Sequence, residues 1–307
     1  MSISNYKLDH AMVRSMTDHL AQFIIAGLTT GSIYALIALG FCVIHNATGI
    51  VNFTQGDFVS LGGLIIYSLL VSLKAPLLVA FPLAVTAVTI VGTLVERIAI
   101  RPARSRSIVI LVFITIGVSI FMRGIFKILW GKNQMGLPPF SGDTPISLAG
   151  ATLMPQNLWI FGITLISVLA LQFFFNRTRL GKAMRAAACN PRAASLMGVN
   201  VNSMVSLSFA LSGALGAVAG IIIVPITTLS YDIGVMLGLK GFAAAVLGGY
   251  GNSFGAVLGG LLLGVLESVG AGVVSSTYKD VIAFGILLLV LFVRPSGILG
   301  HSETERL

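Results

Sequence analysis

Charge is what this sequence has least of. Asp, Glu, Lys and Arg make up 9% of its 307 residues, where a soluble domain carries about 25%. So few charges cannot cover a water-facing surface, which excludes an ordinary soluble globule. Cysteine is nearly absent. Cys42 lies in an apolar run and Cys189 in a basic segment, and bilayer depth keeps them apart, so no disulfide between them is expected. The four histidines, His10, His19, His45 and His301, are scattered. There is no H-E-x-x-H and no C-x-x-C, so no metal site is expected. No G-x-x-x-x-G-K-[ST] occurs either. "NRTRLGKA" comes nearest, but it lacks the first glycine and ends in Ala183, which excludes ATP binding by a P-loop. With no G-x-S-x-G elbow as well, the chain shows no catalytic machinery and no cofactor is expected.

What the sequence has instead is long apolar runs. Hydrophobic residues are 56% of the chain. Residues 20–44, 77–95, 157–175, 205–224 and 241–266 contain no Asp, Glu, Lys or Arg, and shorter runs occupy 58–73, 107–122 and 281–293. A helix needs about 20 mostly apolar residues to cross a bilayer. The expectation is an all-α, polytopic helical membrane protein of about eight spans. Alternation of apolar and polar residues, the signature of a membrane β-barrel, is missing from "FALSGALGAVAGIIIVP". The first run starts near Leu20 with no A-x-A site after it, so it reads as a retained span behind a tail at 1–19. Residues 20–299 then form one transmembrane domain, and 300–307 a C-terminal tail.

The net charge of +9 could suggest nucleic acid, but its distribution follows the positive-inside bias, and no nucleic-acid partner is expected. "RIAIRPARSR" holds Arg97, Arg101, Arg104 and Arg106. "NRTRLGKAMRAAACNPR" holds Arg177, Arg179, Lys182, Arg185 and Arg192. Between them, 131–156 has only Lys132 and Asp143. So 97–106 and 176–204 are placed inside and 131–156 outside. Arg294 places the C-terminus inside, which requires an even number of crossings between 205 and 293. The run 241–266 carries "GGYGNSFG" near its middle and reads as two half-helices, crossing or re-entrant.

Thirty-five glycines run through the spans. Four-residue spacing puts Gly27 with Gly31, Gly216 with Gly220, Gly251 with Gly255 and Gly259, and Gly260 with Gly264 on single helix faces, where backbones can approach closely. Glycine clusters also loosen helices, and discontinuous helices beside a pathway recur in transporters.

Two places concentrate the chemistry. "GIVNFTQGDFVSLGG", 49–63, sets Asn52, Gln55 and Asp57 among apolar spans. One reading makes Asp57 the N-cap of a helix starting at Phe58. The other makes the segment a polar break lining a pathway, with Asn52, Phe53, Gln55, Gly56 and Asp57 on or behind its wall and Gly56 turning the backbone. The second place, "AACNPRAASLMGVN", marks a two-turn helix at both ends. Asn190 suits the N-cap and Pro191 the first helical position. Ala193, Ala194, Leu196 and Met197 follow, and Gly198 fits the C′ position. A helix that short does not hold alone. It packs either on its own bundle or in a soluble partner.

Four passages resemble the permease subunits of branched-chain amino acid ABC importers, the LivH-like family: "GLTTGSIYALIALGFCVIHNATGIVNFTQGDFVSLGG", "GKAMRAAACNPRAASLMGVNV", "KGFAAAVLGGYGNSFGAVLGGLLLGVLE" and "LFVRPSGILG". The resemblance covers about 20–300. It implies half of a transmembrane pair in the bacterial inner membrane, completed by a LivM-like subunit. It also implies two cytoplasmic ATP-binding subunits and a periplasmic substrate-binding protein. By resemblance, Asn190, Pro191, Arg192, Ala193, Leu196, Met197 and Gly198 form the coupling helix that sits on an ATPase subunit. The family typically shows histidine where this chain has Gln55, so no protonatable group stands there. Branched-chain amino acids are the default solute. Urea, a short amide or a sugar on the same architecture is the alternative, followed by an ion-coupled secondary transporter. That last class would be expected to carry more intramembrane acids than Asp57, with Glu96 and Glu267 near span ends.

Overall fold

The computed structural model of the chain describes residues 3–103, 107–148, 151–273 and 275–300. Arg104 and Arg106 of the first basic cluster, and 301–307 of the expected C-terminal tail, lie outside the described residues. Apolar composition and the absence of water force backbone groups to pair within each segment, so the runs fold as helices. Helix α1 (Ile3–Thr48) is followed by α2 (Gln55–Tyr67), extended by a π turn to Ser72. Next come α3 (Leu77–Val95), also extended by a π turn, to Ile100, and α4 (Ile108–Trp130). A small antiparallel hairpin of β1 (Ile146–Leu148) and β2 (Ala151–Leu153) precedes α5 (Pro155–Arg177). The rest is α6 (Arg179–Cys189), α7 (Pro191–Leu196), α8 (Val201–Ile223), α9 (Ile233–Gly248), α10 (Ser253–Val273) and α11 (Lys279–Val293).

Among the described residues, eight helices are long and apolar enough to cross a bilayer, matching the expected number of spans. The apolar part of α1, Leu20–Thr48, is almost wholly buried, whereas α4, α5 and α11 expose most of theirs. The bundle is therefore wrapped around α1, and its rim carries Leu78, Phe113, Ile128, Ile166 and Phe292 outward, the side chains of a lipid-facing surface.

The basic segments share one end of the bundle. Arg101 donates to Asn202 O at 3.4 Å and to Ser206 Oγ at 2.7 Å at the start of α8, and is paired with Glu96 at 3.1 Å. The poorly charged 131–156 segment lies at the other end. There Met135 and Leu229 exchange backbone hydrogen bonds, Gln156 donates to Ile222 O, and Gln22 donates to Thr152 O at 3.2 Å. After residue 205, α8, α10 and α11 are long and apolar enough to cross, and α9 is a shorter apolar helix. The 16 residues of α9 rise about 24 Å, short of a hydrocarbon core of about 30 Å. Its last carbonyls, Leu247 and Gly248, accept instead from the N–H groups of Ile298 (2.9 Å) and Leu299 (3.0 Å). Asn252 caps α10 through Oδ1 and donates to Leu299 O. The terminal "RPSGILG" thus completes the hydrogen bonding of the break at 249–252, where two half-helices were expected.

Small residues set the closest packing. Gly27 and Gly31 of α1 lie against Gly260 and Gly264 of α10, and a Cβ on Gly31 would come within 2.9 Å of Gly260 O. Gly216 and Gly220 sit against Phe58 and Val59 of α2. Gly251 does not belong to the α10 ridge. It lies in the break with φ +95°, a backbone region that favours glycine, because α10 starts only at Ser253. Gly264→Val would drive a side chain into Gly27 O and Gly31 Cα, whereas Gly117 has open space around it. Gly264→Val is therefore expected to abolish recovery of monodisperse protein from detergent extracts. Gly117→Ala should leave both recovery and thermal stability unchanged.

Candidate functional site

The two helices either side of 49–54 do not join. Thr48 ends α1, and Gly49, at φ +72°, turns the chain back with its N–H on His45 O at 2.7 Å. From there the backbone climbs into the bundle without a helix, and side chains take over its hydrogen bonding. Thr48 Oγ1 accepts from Ile50 N, and Thr115 Oγ1 of α4 accepts from Phe53 N at 3.3 Å. Asn52 Oδ1 accepts from Thr54 N (3.2 Å) and Thr54 Oγ1 (2.7 Å). Buried peptide groups without partners are costly, so the polar residues here are first of all the scaffold of the break.

The break reaches the middle of the membrane zone. Gln55 accepts from Ser212 Oγ and donates its Nε2 to Ser212 O at 3.3 Å, and Ser212 is the central residue of α8. The Gln55 amide fills the space beside Gly40, where any Cβ would overlap it.

Two expectations are corrected here. Asp57 is not the N-cap of a helix beginning at Phe58. Helix α2 starts at Gln55, and Thr54 occupies the N-cap position without a side-chain cap bond. Asn52 organises the turn two residues ahead of it. Asp57 instead lies in the first turn, where the helix dipole favours a carboxylate. Nor does Gly56 turn the backbone: it is helical, with no positive φ. Glycine is required because a Cβ would overlap Gly234 O of α9 and crowd Gly238.

Asp57 is 2% exposed, and among the described residues neither of its carboxylate oxygens has a hydrogen-bond partner. The nearest charge is Arg123, with Nε 3.6 Å from Oδ1. The guanidinium folds back toward the N-terminus of α4, as helical side chains do, and donates to Ser119 O (3.3 Å) and Ser119 Oγ (3.4 Å). A cavity of about 120 Å³ opens between α2, α4 and α9, with Phe41, Phe53, Asp57, Ser119 and Arg123 on its wall. Sequence reasoning missed Arg123 because the charge-free window closes at Met122. Its sixteen residues are too short to span, so α4 had to continue past Arg123, and that shortfall was the available signal. Toward the basic end, a run of ring contacts joins the two breaks: Phe53–Phe242, Phe242–Tyr250 and Tyr250–His45. Asn46 Nδ2 reinforces them by donating to Gly251 O at 2.8 Å.

A charge cluster around the buried Lys240–Glu267 pair was also missed. Lys240 and Glu267, the two charges that bound the apolar run 241–266, pair across α9 and α10 at 2.8 Å. Asp280 and Lys279 join them at 2.6 and 3.2 Å, and Tyr34 reaches Glu267 at 3.3 Å.

At the basic end, α7 forms as its local signals require. Asn190 Oδ1 accepts from Ala193 N at 3.0 Å, Pro191 opens the helix, and Gly198 ends it with φ +85°. Ala194 packs inward. Arg192 and Ala193 are exposed, and Leu196 and Met197 are 90% and 85% exposed.

Residues 23–291 match the protein family described as "Branched-chain amino acid transport system / permease component". The chain is 36% identical over 301 residues to the high-affinity branched-chain amino acid transport system permease protein BraD of Pseudomonas aeruginosa. That alignment covers 94% of this chain and 98% of the relative. It is also 36% identical over 303 residues to the corresponding permease protein LivH of Escherichia coli K12, with the same shares of each chain covered. The ribose import permease protein RbsC of Haemophilus influenzae is 27% identical over 271 residues, covering 84% of this chain and 80% of that one.

The reciprocal Gln55–Ser212 pair yields a stability test. Gln55→Leu leaves the Ser212 hydroxyl without its acceptor, at a cost of about 1–3 kcal/mol, and Ser212→Ala does the converse. The double variant is expected to lose less than the sum of the single losses, measured as thermal retention of monodisperse protein in detergent. Additive losses would show that the two side chains do not act as a pair.

Proposed function

The chain belongs to the branched-chain amino acid transport permease family, and we propose that it forms one half of the membrane pathway of an ABC importer for branched-chain or closely related small amino acids. The observation that carries this reading is the polar break at 49–54 with the first turn of α2 that follows it, held at mid-bundle and opening on a cavity within a chain of permease ancestry. Asn52, Phe53, Gln55, Gly56 and Asp57 form or brace the wall of the pathway. Substrate pathways in transporters commonly lie near the midplane, beside discontinuous helices. In this reading residues 20–299 are one permease domain of the bacterial inner membrane. A LivM-like subunit completes the pathway, a periplasmic binding protein delivers the solute, and two ATP-binding subunits hydrolyse ATP on the cytoplasmic side. A sugar permease of the same architecture is the second reading, favoured only by the lower-identity ribose relative.

The segment 176–204 is the coupling loop, with α7 docking on an ATPase subunit. Leu196 and Met197 support this, because two large apolar side chains project from a capped helix at the basic end with nothing of the chain's own described residues covering them. Their exposure also makes a clean test possible, since substitutions at exposed sites barely alter folding. Leu196→Asp and Met197→Asp are each expected to leave the chain in the membrane while transport and binding-protein-stimulated ATP hydrolysis fall to background. Normal uptake and normal stimulation in both variants would remove the coupling role.

A further inference from the structure

We propose that Asp57 and Arg123 receive the charged head of a zwitterionic solute, the carboxylate on Arg123 and the ammonium on Asp57. This inference rests on the permease reading above and specifies what the pathway recognises.

The charge clusters around buried Glu267 and buried Asp57 differ in a way that separates brace from site. Lys240 is clamped at 2.8 Å to Glu267 and 2.6 Å to Asp280, and Lys279 adds a contact to Glu267 at 3.2 Å. That network joins α9, α10 and α11 and behaves as a strut. Asp57 and Arg123 stand 3.6 Å apart, beyond an ordinary hydrogen bond of 2.7–3.2 Å. Asp57 is buried, and by distance and angle neither of its carboxylate oxygens has a hydrogen-bond partner among the described residues, the groups beside it being Arg123 and the Ser119 hydroxyl. Arg123 is 28% exposed, and its described hydrogen bonds go to Ser119 of its own helix, leaving donors of its five-donor fork free. Both groups face the same cavity of about 120 Å³. A liquid water occupies about 30 Å³, so the space is large enough for a few waters or for the small polar head that would displace them. Gly56, Gly234 and Gly238 contribute no side chains to its wall.

A loose ion pair in such a place can exchange partners. As a zwitterion enters, the Asp57–Arg123 contact is replaced by ammonium–Asp57 and carboxylate–Arg123, and no charge is left buried without a counter-charge. An uncharged sugar or amide cannot make that exchange. The apolar side chain of the solute would meet Phe41 and Phe53, which line the same cavity.

The test uses the full importer in proteoliposomes, with permease pair, ATPase subunits and binding protein loaded with radiolabelled leucine. Arg123→Gln, Asp57→Asn and the double variant are compared with wild type for leucine flux and for ATP hydrolysis. Each single change is expected to cut leucine flux about tenfold or more, as losing a built polar contact does, with stimulated ATP hydrolysis largely retained. The double variant is expected to stay impaired. Recovery of wild-type flux in the double variant would make the pair a strut and overturn the inference, as would wild-type flux in both singles. If neutral variants do not assemble, Arg123→Lys decides. It keeps the charge but loses the planar fork, so reduced flux in an assembled complex supports the proposal and wild-type flux overturns it. Absence of leucine uptake by the wild-type complex would instead sink the parent reading of an amino acid permease.

Discussion

A peptide group inside a bilayer has no water to bond to, and that constraint organises this protein. It makes helices of the apolar runs, and it also fixes what must happen wherever a helix stops. At 49–54 the chain leaves helix at membrane depth, and Thr48, Asn52 and Thr115 supply the missing acceptors. At 249–252 the same need is met by Asn252 and by the backbone of Ile298 and Leu299. A break that is satisfied in this way remains polar, and a polar surface deep in an apolar bundle is what a small hydrophilic solute requires to cross.

Close packing and charge follow from the breaks. Helices that carry them must approach nearly backbone to backbone, so glycine faces glycine between α1 and α10 and between Gly56 and Gly234. The charges divide by function. Glu96 with Arg101 ties α3 to α8 at the basic end. Lys240 with Glu267 ties α9 to α10. Asp57 with Arg123 is looser and faces a cavity. At the basic, N-terminal end of the same α8 whose Ser212 holds Gln55, α7 leaves Leu196 and Met197 exposed.

Local chemistry was legible in the sequence, and tertiary chemistry was not. The spans follow from charge-free windows, and the ends of α7 follow from Asn190, Pro191 and Gly198, because capping is decided within a few residues. The existence of a break at 49–54 followed from amides and glycines in a setting where they are expensive. Its details did not. Two cap-competent stretches sit side by side, and choosing the Asn52–Thr54 turn over Asp57 required knowing that Thr115 of α4 holds Phe53 N. The need for glycine at 56 depends on Gly234, which no local pattern reveals. Arg123 and Lys240 read as span boundaries until packing put each beside its acid.

The most direct measurement is water access at mid-membrane, read by thiol chemistry in the assembled importer. Ser119 lies on the cavity wall, while the neighbouring Ile120 is 60% exposed on the apolar rim. In a background lacking Cys42 and Cys189, Ser119→Cys is expected to react with a small hydrophilic thiol reagent, more slowly when leucine-loaded binding protein holds the pathway occupied. Ile120→Cys, facing lipid, is expected to stay unreactive. An inert Ser119→Cys, or equal reactivity at both positions, would contradict a wet polar pathway at this break.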